Sequence, residues 1–375
     1  MSEWKKVRLG EVAVMKRGKY ITRSDTRPGN IPVILGGQEP AYYCDEANHT
    51  GPCIVISRSG ASAGFVSYWN QPIFVTDGFL FEANEQSNIH YLYYCLKANQ
   101  SLLGNLQNAT AIPHVRGEDL KAFPIPLPPL PTQRKIAAVL GALDDKIENN
   151  RKICANIEAQ AQAIFKSWFV DFEPFGGKMP QGWKEVPLSS IATYLNGLAM
   201  QKYRPSDDED SLPVLKIKEL RQGFCDSASE RCSASIDPRY IVHDGDVIFS
   251  WSGSLLVDFW CGGTAGLNQH LFKVYSVEYD KWFVFSWTNH YLASFIKIAA
   301  DKATTMGHIT RDHLDDAKVC IPFDSDIEQV GRVMKPLYDE IIAKRIESRA
   351  LAAMRDALLP KLMSGEIDVE KVKVA

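Results

Sequence analysis

Several hallmarks of common protein classes are missing from this 375-residue chain. No apolar run approaches the roughly 18 residues of a membrane helix, and the N-terminus lacks the charged-then-apolar order of a secretory signal. We therefore expect a cytoplasmic protein that contacts no membrane. Its eight cysteines include no Cys-x-x-Cys pair, which favours reduced, buried thiols over a zinc site. The net charge of −3 is not that of a strongly basic nucleic-acid binder.

Catalytic motifs are missing as well. The chain contains no Asn-Pro-Pro-Tyr or Asp-Pro-Pro-Tyr motif of adenine methyltransferases, no Gly-x-x-x-x-Gly-Lys-Ser/Thr phosphate loop and no His-Glu-x-x-His metal motif. The Gly/Ser-rich run at 57–64 does not match a phosphate cradle, and no Ser-His-Asp or Cys-His set can be assembled. We therefore predict that this chain has no catalytic residue, no metal site and no cofactor of its own.

A long heptad pattern is present between residues 133 and 172. Apolar residues from Ile136 onward alternate at spacings of four and three, and neither Gly nor Pro follows Gly141. About 40 residues at ~1.5 Å each predict an amphipathic helix roughly 60 Å long. The middle of the seam is polar at Asn150 and Cys154, where polar groups can specify register at some loss of stability.

The same pattern recurs in residues 329–362, where each seam position lies 194 residues after its counterpart, as Val330 does after Ile136. Lys344 and Ser348 repeat the polar middle. Two equal amphipathic helices in one chain bury their seams best by packing antiparallel. The predicted apolar seam comprises Ile136, Leu140, Leu143, Ile147, Ile157, Ile164, Val330, Met334, Leu337, Ile341, Leu351 and Leu358.

The regions that precede the two helices also repeat. The sequence WKKV at 4–7 is matched by WKEV at 183–186, and IVIS at 54–57 by VIFS at 247–250. Short β-branched and aromatic runs bounded by Gly, Pro, Asn or Asp predict strand-rich domains. We predict an α+β chain in pseudo-twofold tandem repeat: a domain at 1–128, a spacer helix at 129–172, a linker at 173–180, a second domain at 181–322, a second spacer helix at 323–365 and a frayed tail at 366–375.

A proline-rich segment at 123–131 leads into the first helix. Its five prolines predict stiff, extended chain that is neither helix nor central strand, with Thr132 as the helix cap. The alternative is a ligand for a proline-reading module. Because the second repeat keeps only Pro322 at this place, we favour the structural interpretation.

A chain with two equivalent domains and a spacer matches a target in two separated parts, of which duplex DNA with two half-sites is the commonest. Arg, Lys, Asn and Gln read bases, and scattered cations bind phosphates. Such residues recur at three places in both repeats: in the turn after the strand that ends at Ser57 or Ser250, before each spacer helix, and after each domain's first strand. For any one of them a solvated surface charge is the simpler alternative, and for His114 and His308 a structural role in the loop. The predicted DNA contacts are Lys16, Arg17, Lys19, Arg23, Arg58, Ser59, Thr110, His114, Arg116, Lys202, Arg204, Trp251, Ser252, Thr304, His308 and Arg311.

The helix motifs resemble a known family. LPTQRKIAAVLGALDDKIENNR at 130–151 and AIFKSWFVDF at 163–172 are similar to the central conserved region of DNA specificity subunits of type I restriction–modification systems. LYDEII at 337–342 and LAAMRDALLPKLMSGEI at 351–367 resemble the C-terminal conserved region, and MPQGWK at 179–184 the entry to the second recognition domain.

The resemblance implies a role. Each globular domain would be a target recognition domain that reads one half of a bipartite duplex DNA site. The helices would set the gap and dock two modification subunits, which carry S-adenosylmethionine and methylate adenine. Restriction subunits would add ATP- and Mg-dependent translocation and cleavage. Two alternatives belong to other classes: a structural coiled-coil scaffold and a fused methyltransferase-nuclease.

Overall fold

The computed structural model describes residues 4–107, 113–301 and 307–372. The chain divides into two compact units, the first formed by Met1–Lys146 with Leu351–Ala375 and the second by Ile147–Ala350. Each unit thus contains one globular domain and a part of both long helices.

The first domain consists of short strands with four short helices, and the first long helix follows it. Its elements are β1 Lys6–Arg8, α1 Leu9–Val12, β2 Ala13–Arg17, β3 Ile31–Ile34, β4 Tyr42–Cys44, β5 Cys53–Ser57, β6 Val66–Trp69, β7 Phe74–Val75, β8 Gly78–Ala83, α2 Ile89–Ala98, α3 Gln100–Gly104, α4 Gly117–Ala122, β9 Pro124–Pro126 and α5 Leu130–Phe169. They form a four-stranded sheet in the order β2-β8-β5-β6, a three-stranded sheet β4-β3-β7 and a ribbon β1-β9.

The second domain has a similar order of elements, and the second long helix follows it. It comprises β10 Lys184–Pro187, α6 Leu188–Ile191, β11 Thr193–Asn196, β12 Ser211–Leu215, α7 Ile217–Gln222, β13 Arg231–Ser233, β14 Ile241–Val242, β15 Val247–Ser250, β16 Leu256–Phe259, β17 Ala265–Leu267, β18 Leu271–Tyr275, α8 Lys281–Asp301, α9 Arg311–Asp316, β19 Lys318–Ile321 and α10 Asp324–Met363. Compared with the first domain, α7 and β14 are added, and α8 stands in place of α2 and α3. The sheets are β11-β18-β15-β16, β13-β12-β17-β14 and the ribbon β10-β19. The four-stranded sheets β2-β8-β5-β6 and β11-β18-β15-β16 have equivalent strand orders, so the tandem repeat of the sequence is also a repeat of the fold.

The central strands of these two sheets are buried along their whole length. Every residue of β5 and of β15 is buried, which explains why both strands are continuous apolar runs ending in serine. In the first unit β5 contributes Ile54 and Ile56 to a core that also contains Leu140 of α5 and Leu362 of α10. The helix ends are therefore part of the domain core and hold the domain in place.

The long helices run antiparallel within each unit. In the second unit the Asn150 amide donates to Ser348 at 3.3 Å, and the Cys154 thiol lies 3.8 Å from the Ile341 carbonyl oxygen. In the first unit Arg355 of α10 pairs with Asp144 of α5 at 2.7 Å. Of the twelve predicted seam residues, Ile136, Leu140, Val330, Met334 and Ile341 are buried, and Leu143, Ile147, Ile157, Ile164, Leu337, Leu351 and Leu358 are half-buried.

The structure corrects the prediction for the proline-rich segment. Pro124–Pro126 is extended, but as strand β9 it pairs antiparallel with β1, and α5 already begins at Leu130. Pro131 is therefore helical, and Thr132 is not the cap. A proline fits the first turn because the N–H groups there need no intrahelical acceptor.

The predicted frayed tail is also corrected. Val369 is only 4% exposed and packs in the core of the first unit, in a short 3-10 turn that ends at Lys371. The neighbouring Glu370 pairs with Lys135 of α5. The chain after α10 thus returns to cover the beginning of α5, a long-range contact that local composition does not reveal.

Candidate nucleic-acid interface

Two predicted DNA-contacting segments of the first unit meet at the start of β8. Ser57, the last residue of β5, pairs with Gly78. From the other side, the Gly18 N–H that follows β2 donates to the Gly78 carbonyl at 2.9 Å. The basic end of β2, with Lys16 and Arg17, and the turn that begins at Arg58 therefore lie at one edge of the sheet.

The segment before the spacer helix joins the same turn. Ser59 and His114 form an antiparallel bridge. It is flanked by two backbone hydrogen bonds, from Gly60 N–H to Pro113 at 3.0 Å and from Val115 N–H to Arg58 at 2.9 Å. Segments that are far apart in the chain are thus held side by side.

The second unit builds the same arrangement. Ser252 and His308 form the equivalent bridge, and Ile309 N–H donates to the Trp251 carbonyl at 3.1 Å. Ser250 pairs with Leu271 at the start of β18, and Gly197, which follows β11, donates to that residue's carbonyl at 3.0 Å. Both units thus join the turn after the central strand to the segment before the helix and to the end of β2 or β11, while Lys202 and Arg204 follow further along the chain after β11.

A glycine makes this convergence possible in each unit. A Cβ atom on Gly18 would lie 2.5 Å from the Thr76 carbonyl oxygen, and one on Gly197 would lie 2.3 Å from that of Asn268. Both contacts are with backbone, which cannot give way as a side chain can. Only glycine allows the chain to pass so close to the neighbouring loop where it leaves β2 and, in the second unit, β11.

The turn of the first unit carries an ion pair. Arg58 Nη1 lies 3.4 Å from Asp77 Oδ1, and the Ser59 hydroxyl donates to the same carboxylate. Asp77 was not among the predicted residues. It precedes β8 directly, so a carboxylate next to a strand that meets a predicted contact turn is the signal that could have identified it.

The other predicted contacts of the first unit are more exposed. Lys16 Nζ pairs with Glu82 at 2.7 Å, and the Arg23 guanidinium lies 6.0 Å from the centre of the Tyr42 ring. Four of the predicted cations of the first unit are exposed and make no ion pair within the part of the chain that the structure describes: Arg17, Lys19, Arg23 and Arg116. Such cations suit phosphate contacts.

In the second unit, Trp251, Asn196 and His270 take the place of the ion pair. The Trp251 indole N–H donates to Asn196 Oδ1 at 3.0 Å, and its ring lies 5.7 Å from that of Phe272. Ser252 is 2% exposed and shares a 3.0 Å hydrogen bond with His270 Nδ1, so its hydroxyl supports the turn instead of facing solvent. His270 occupies the place of Asp77 and was likewise not predicted.

The remaining predicted contacts of the second unit are surface residues. Lys202, Arg204, His308 and Arg311 are exposed, and Arg311 begins α9 directly after Thr310. The predicted contacts Thr110 and Thr304 lie outside the described residues. Over 4–107, 113–301 and 307–372 there is no cluster of three or more side chains suited to a metal ion, and no helix with the length and apolar character needed to cross a bilayer.

Comparison with known proteins supports this architecture. A family model for the type I restriction modification DNA specificity domain matches residues 1–159. The chain is 27% identical over 344 residues to the type I restriction enzyme MjaIX specificity subunit of Methanocaldococcus jannaschii, in a match that covers 85% of this chain and 78% of that protein. It is 20% identical over 327 residues to the HindI specificity subunit of Haemophilus influenzae, covering 68% and 71%.

A solved structure has the same fold. The type I restriction–modification S subunit from M. genitalium superimposes with a TM-score of 0.64 over 96% of both chains, at 16% identity. This likeness concerns the fold, which in the present chain consists of two tandem domains that each pack on parts of the two long helices. The comparisons confirm the resemblance of the helix motifs: a model of the type I DNA specificity domain matches the first part of this chain, and its curated relatives are type I specificity subunits. The comparisons support neither a simple scaffold nor a fused methyltransferase-nuclease.

Proposed function

We propose that this chain is the non-catalytic specificity subunit of a type I restriction–modification complex, and that each globular domain reads one half of a bipartite duplex DNA site. One observation carries the proposal: both units build the same edge, in which a turn after the central strand is bridged to the segment before a helix, at Ser59 and His114 and again at Ser252 and His308. Two domains that share a fold but carry different side chains at this edge can recognise two different DNA sequences.

The proposal assigns different tasks to the side chains of this edge. Side chains held in the bridged turn are positioned to reach base edges, and Arg58 and Trp251 occupy equivalent places there. The exposed cations around the turn bind phosphates, which set orientation and affinity without reading sequence. The net charge of −3 is compatible with this role if partner subunits supply much of the non-specific affinity.

The long helices have two tasks in the proposal. They set the gap between the half-sites, and they dock two modification subunits. Support comes from their anchoring, because Leu140 and Leu362 belong to the core of the first unit and Phe165 and Met334 to that of the second. S-adenosylmethionine would be held by the modification subunits, and ATP and Mg by restriction subunits.

Domain exchange tests the proposal. The full chain is co-expressed with its modification subunits and methylated adenines are mapped by sequencing, before and after residues 1–128 are replaced by the equivalent domain of another specificity subunit. We expect a bipartite methylated motif in which the exchange changes one half only. A change in both halves would contradict the model of two readers. Methylation of DNA by this chain alone with S-adenosylmethionine would contradict the non-catalytic role.

A further inference from the structure

The equivalent turns of the two units differ in the residue that follows the central strand. Arg58 follows the central strand of the first unit, whereas Trp251 follows that of the second. The backbone of both residues is fixed in the same way. Arg58 N–H donates to the Asp77 carbonyl at 3.1 Å and its own carbonyl accepts from Val115 at 2.9 Å. Trp251 makes the corresponding bonds with His270 and Ile309.

Asp77 orients the guanidinium of Arg58 but accepts from only one of its nitrogen atoms. Its Nη1 bonds to Asp77 Oδ1 at 3.4 Å, while Nε and Nη2 bond to no described residue. The side chain of Arg58 is 37% exposed and that of Asp77 is 26% exposed. Asp77 is held in turn by the Ser59 hydroxyl. The backbone of Arg58 is thus fixed by hydrogen bonds, and Asp77 holds Nη1. Nε and Nη2 remain available, so the guanidinium is pre-organised for a bidentate contact.

Guanine is the base that such an edge recognises. Its O6 and N7 form a pair of acceptors in the major groove, and a bidentate arginine to these atoms is the commonest specific contact in protein–DNA complexes. We propose that Arg58, positioned by Asp77, reads a guanine in the half-site bound by the first unit. This inference rests on the proposed function and adds the identity of one base and the residue that reads it.

The second unit has no cation at the equivalent place. Trp251 donates its indole N–H to Asn196, and His270 shares a hydrogen bond with Ser252. This turn therefore offers no arginine donor pair to O6 and N7, so the proposed contact of Arg58 has no counterpart at the equivalent place of the second unit. The exposed cations Arg17 and Lys19 differ from Arg58 because no described carboxylate orients them, which suits phosphate contacts.

The test begins with the wild-type complex of this chain and its modification subunits. Methylated adenines define the bipartite motif, and exchange of residues 1–128 assigns one half to the first unit. Without a bipartite motif the proposed function itself fails. A bipartite motif whose first-unit half contains no guanine overturns the present inference and leaves the proposed function intact.

Variants then identify the reader. Duplexes that carry the motif with each base in turn at the guanine position are methylated by wild type and by Arg58→Ala. We expect the wild-type preference for guanine at one position to fall by about 10-fold or more in Arg58→Ala. Arg58→Lys should keep part of that preference, because lysine also contacts O6 and N7. Asp77→Asn should weaken it, since the guanidinium loses its charged partner.

Two controls separate base reading from general damage. Lys121→Ala removes a half-exposed cation of the same unit, paired with Glu118 at 3.2 Å, and should leave every base preference unchanged. The half-site of the second unit should be read equally well by all variants, which reports on folding. Equal loss of methylation at all four bases in Arg58→Ala would identify a phosphate contact and overturn the inference. Unchanged guanine preference in that variant would do the same.

Discussion

The amide of Asn150 on α5 donates a 3.0 Å hydrogen bond to the Glu347 carboxylate on α10, although Asn150 has 0% exposure. A second bond reaches Ser348 at 3.3 Å, but Oδ1 of the same amide has no hydrogen-bond partner in the described chain. A buried asparagine with one unpaired oxygen lowers stability while favouring the pairing that satisfies its donor. Asn150 thus makes the interhelical hydrogen bonds expected of a polar seam residue that specifies register.

Asn150→Leu tests that balance. We expect the free energy of unfolding to rise by about 1 kcal/mol, because the substitution removes an unsatisfied buried oxygen and adds apolar surface. Thermal and denaturant unfolding of the full chain would measure the change. Asn149→Leu is the matched control, since Asn149 is exposed and should gain nothing. A less stable Asn150→Leu variant would mean that the two donor bonds outweigh the unpaired oxygen.

Arg355 is expected to contribute more to stability than an exposed arginine on the same helix pair. It bonds to Asp144 at 2.7 Å, and Asp144 also accepts from the Tyr94 hydroxyl at 2.6 Å, so one carboxylate links both helices to the domain. Arg355→Ala should cost about 2 kcal/mol because it leaves a half-buried carboxylate without its cation. Unfolding curves of the variants provide the measurement.

Arg151→Ala is the control for Arg355. Arg151 is 71% exposed and pairs with Glu148 one helical turn away. Its loss should change stability by less than about 0.5 kcal/mol. Similar losses in both variants would show that the link to Asp144 adds nothing to an ordinary surface pair.

Asp244 makes part of the stability of the second unit dependent on pH. The bidentate hydrogen bonds from Arg349, both 2.7 Å, hold the pKa of the Asp244 carboxyl below its ordinary value, although burial acts in the opposite direction. A depressed pKa stabilises the folded state above the unfolded pKa of about 4, and this contribution disappears as the pH falls through the folded value. The difference in melting temperature between wild type and Asp244→Asn should be constant above about pH 5 and shrink below about pH 4.

Glu39→Gln provides the comparison for Asp244, because Glu39 is exposed and bonds to no described side chain. Its melting temperature should follow wild type across the same pH range. A difference between wild type and Asp244→Asn that stays constant down to pH ~3 would exclude linkage through this carboxylate.

Gly18→Ala should damage one half-site only. The added Cβ would lie 2.5 Å from the Thr76 carbonyl oxygen, so the strand end must move, at a cost of about 1–3 kcal/mol. We expect weaker reading of the first unit's half-site in the methylation assay and normal reading of the other. Gly104→Ala is the control, because a Cβ atom there would meet no neighbouring group of the described chain within 4 Å. Equal loss at both half-sites would contradict the assignment of this edge to the first unit.

Much of the architecture could be predicted from the sequence because its signals are periodic. The heptads predicted both long helices, and the 194-residue offset predicted that His114 and His308 occupy equivalent places, as their bridges to Ser59 and Ser252 confirm. Such signals are local or repeated, so they need no knowledge of the tertiary fold.

The unpredicted features depend on contacts between distant residues. Asp77 is nineteen positions from Arg58, and only the pairing of β5 with β8 brings them together. Val369 looks like tail in the sequence and is core in the fold. A local contact also matters where α2 and α3 are separated, because the Asn99 side chain donates to the Cys95 carbonyl at 2.8 Å. Polar residues that bond to nearby backbone compete with helix in a way that periodicity does not show.

The helix pair predicts how the DNA gap changes with helix length. Insertion of seven residues after Lys146 and seven after Ala350, the chain boundaries of the two units, adds a heptad to each helix and leaves the anchors Arg355 and Arg349 in place. A heptad adds about 10 Å and nearly two full turns, so the seam stays on the same face. If the helices set the gap, the methylated motif should keep both half-sites while its gap grows by about three base pairs, at ~3.4 Å each. Insertion in α5 alone puts the two helices out of register and should abolish methylation. An unchanged gap after the double insertion would show that the helices do not determine the spacing.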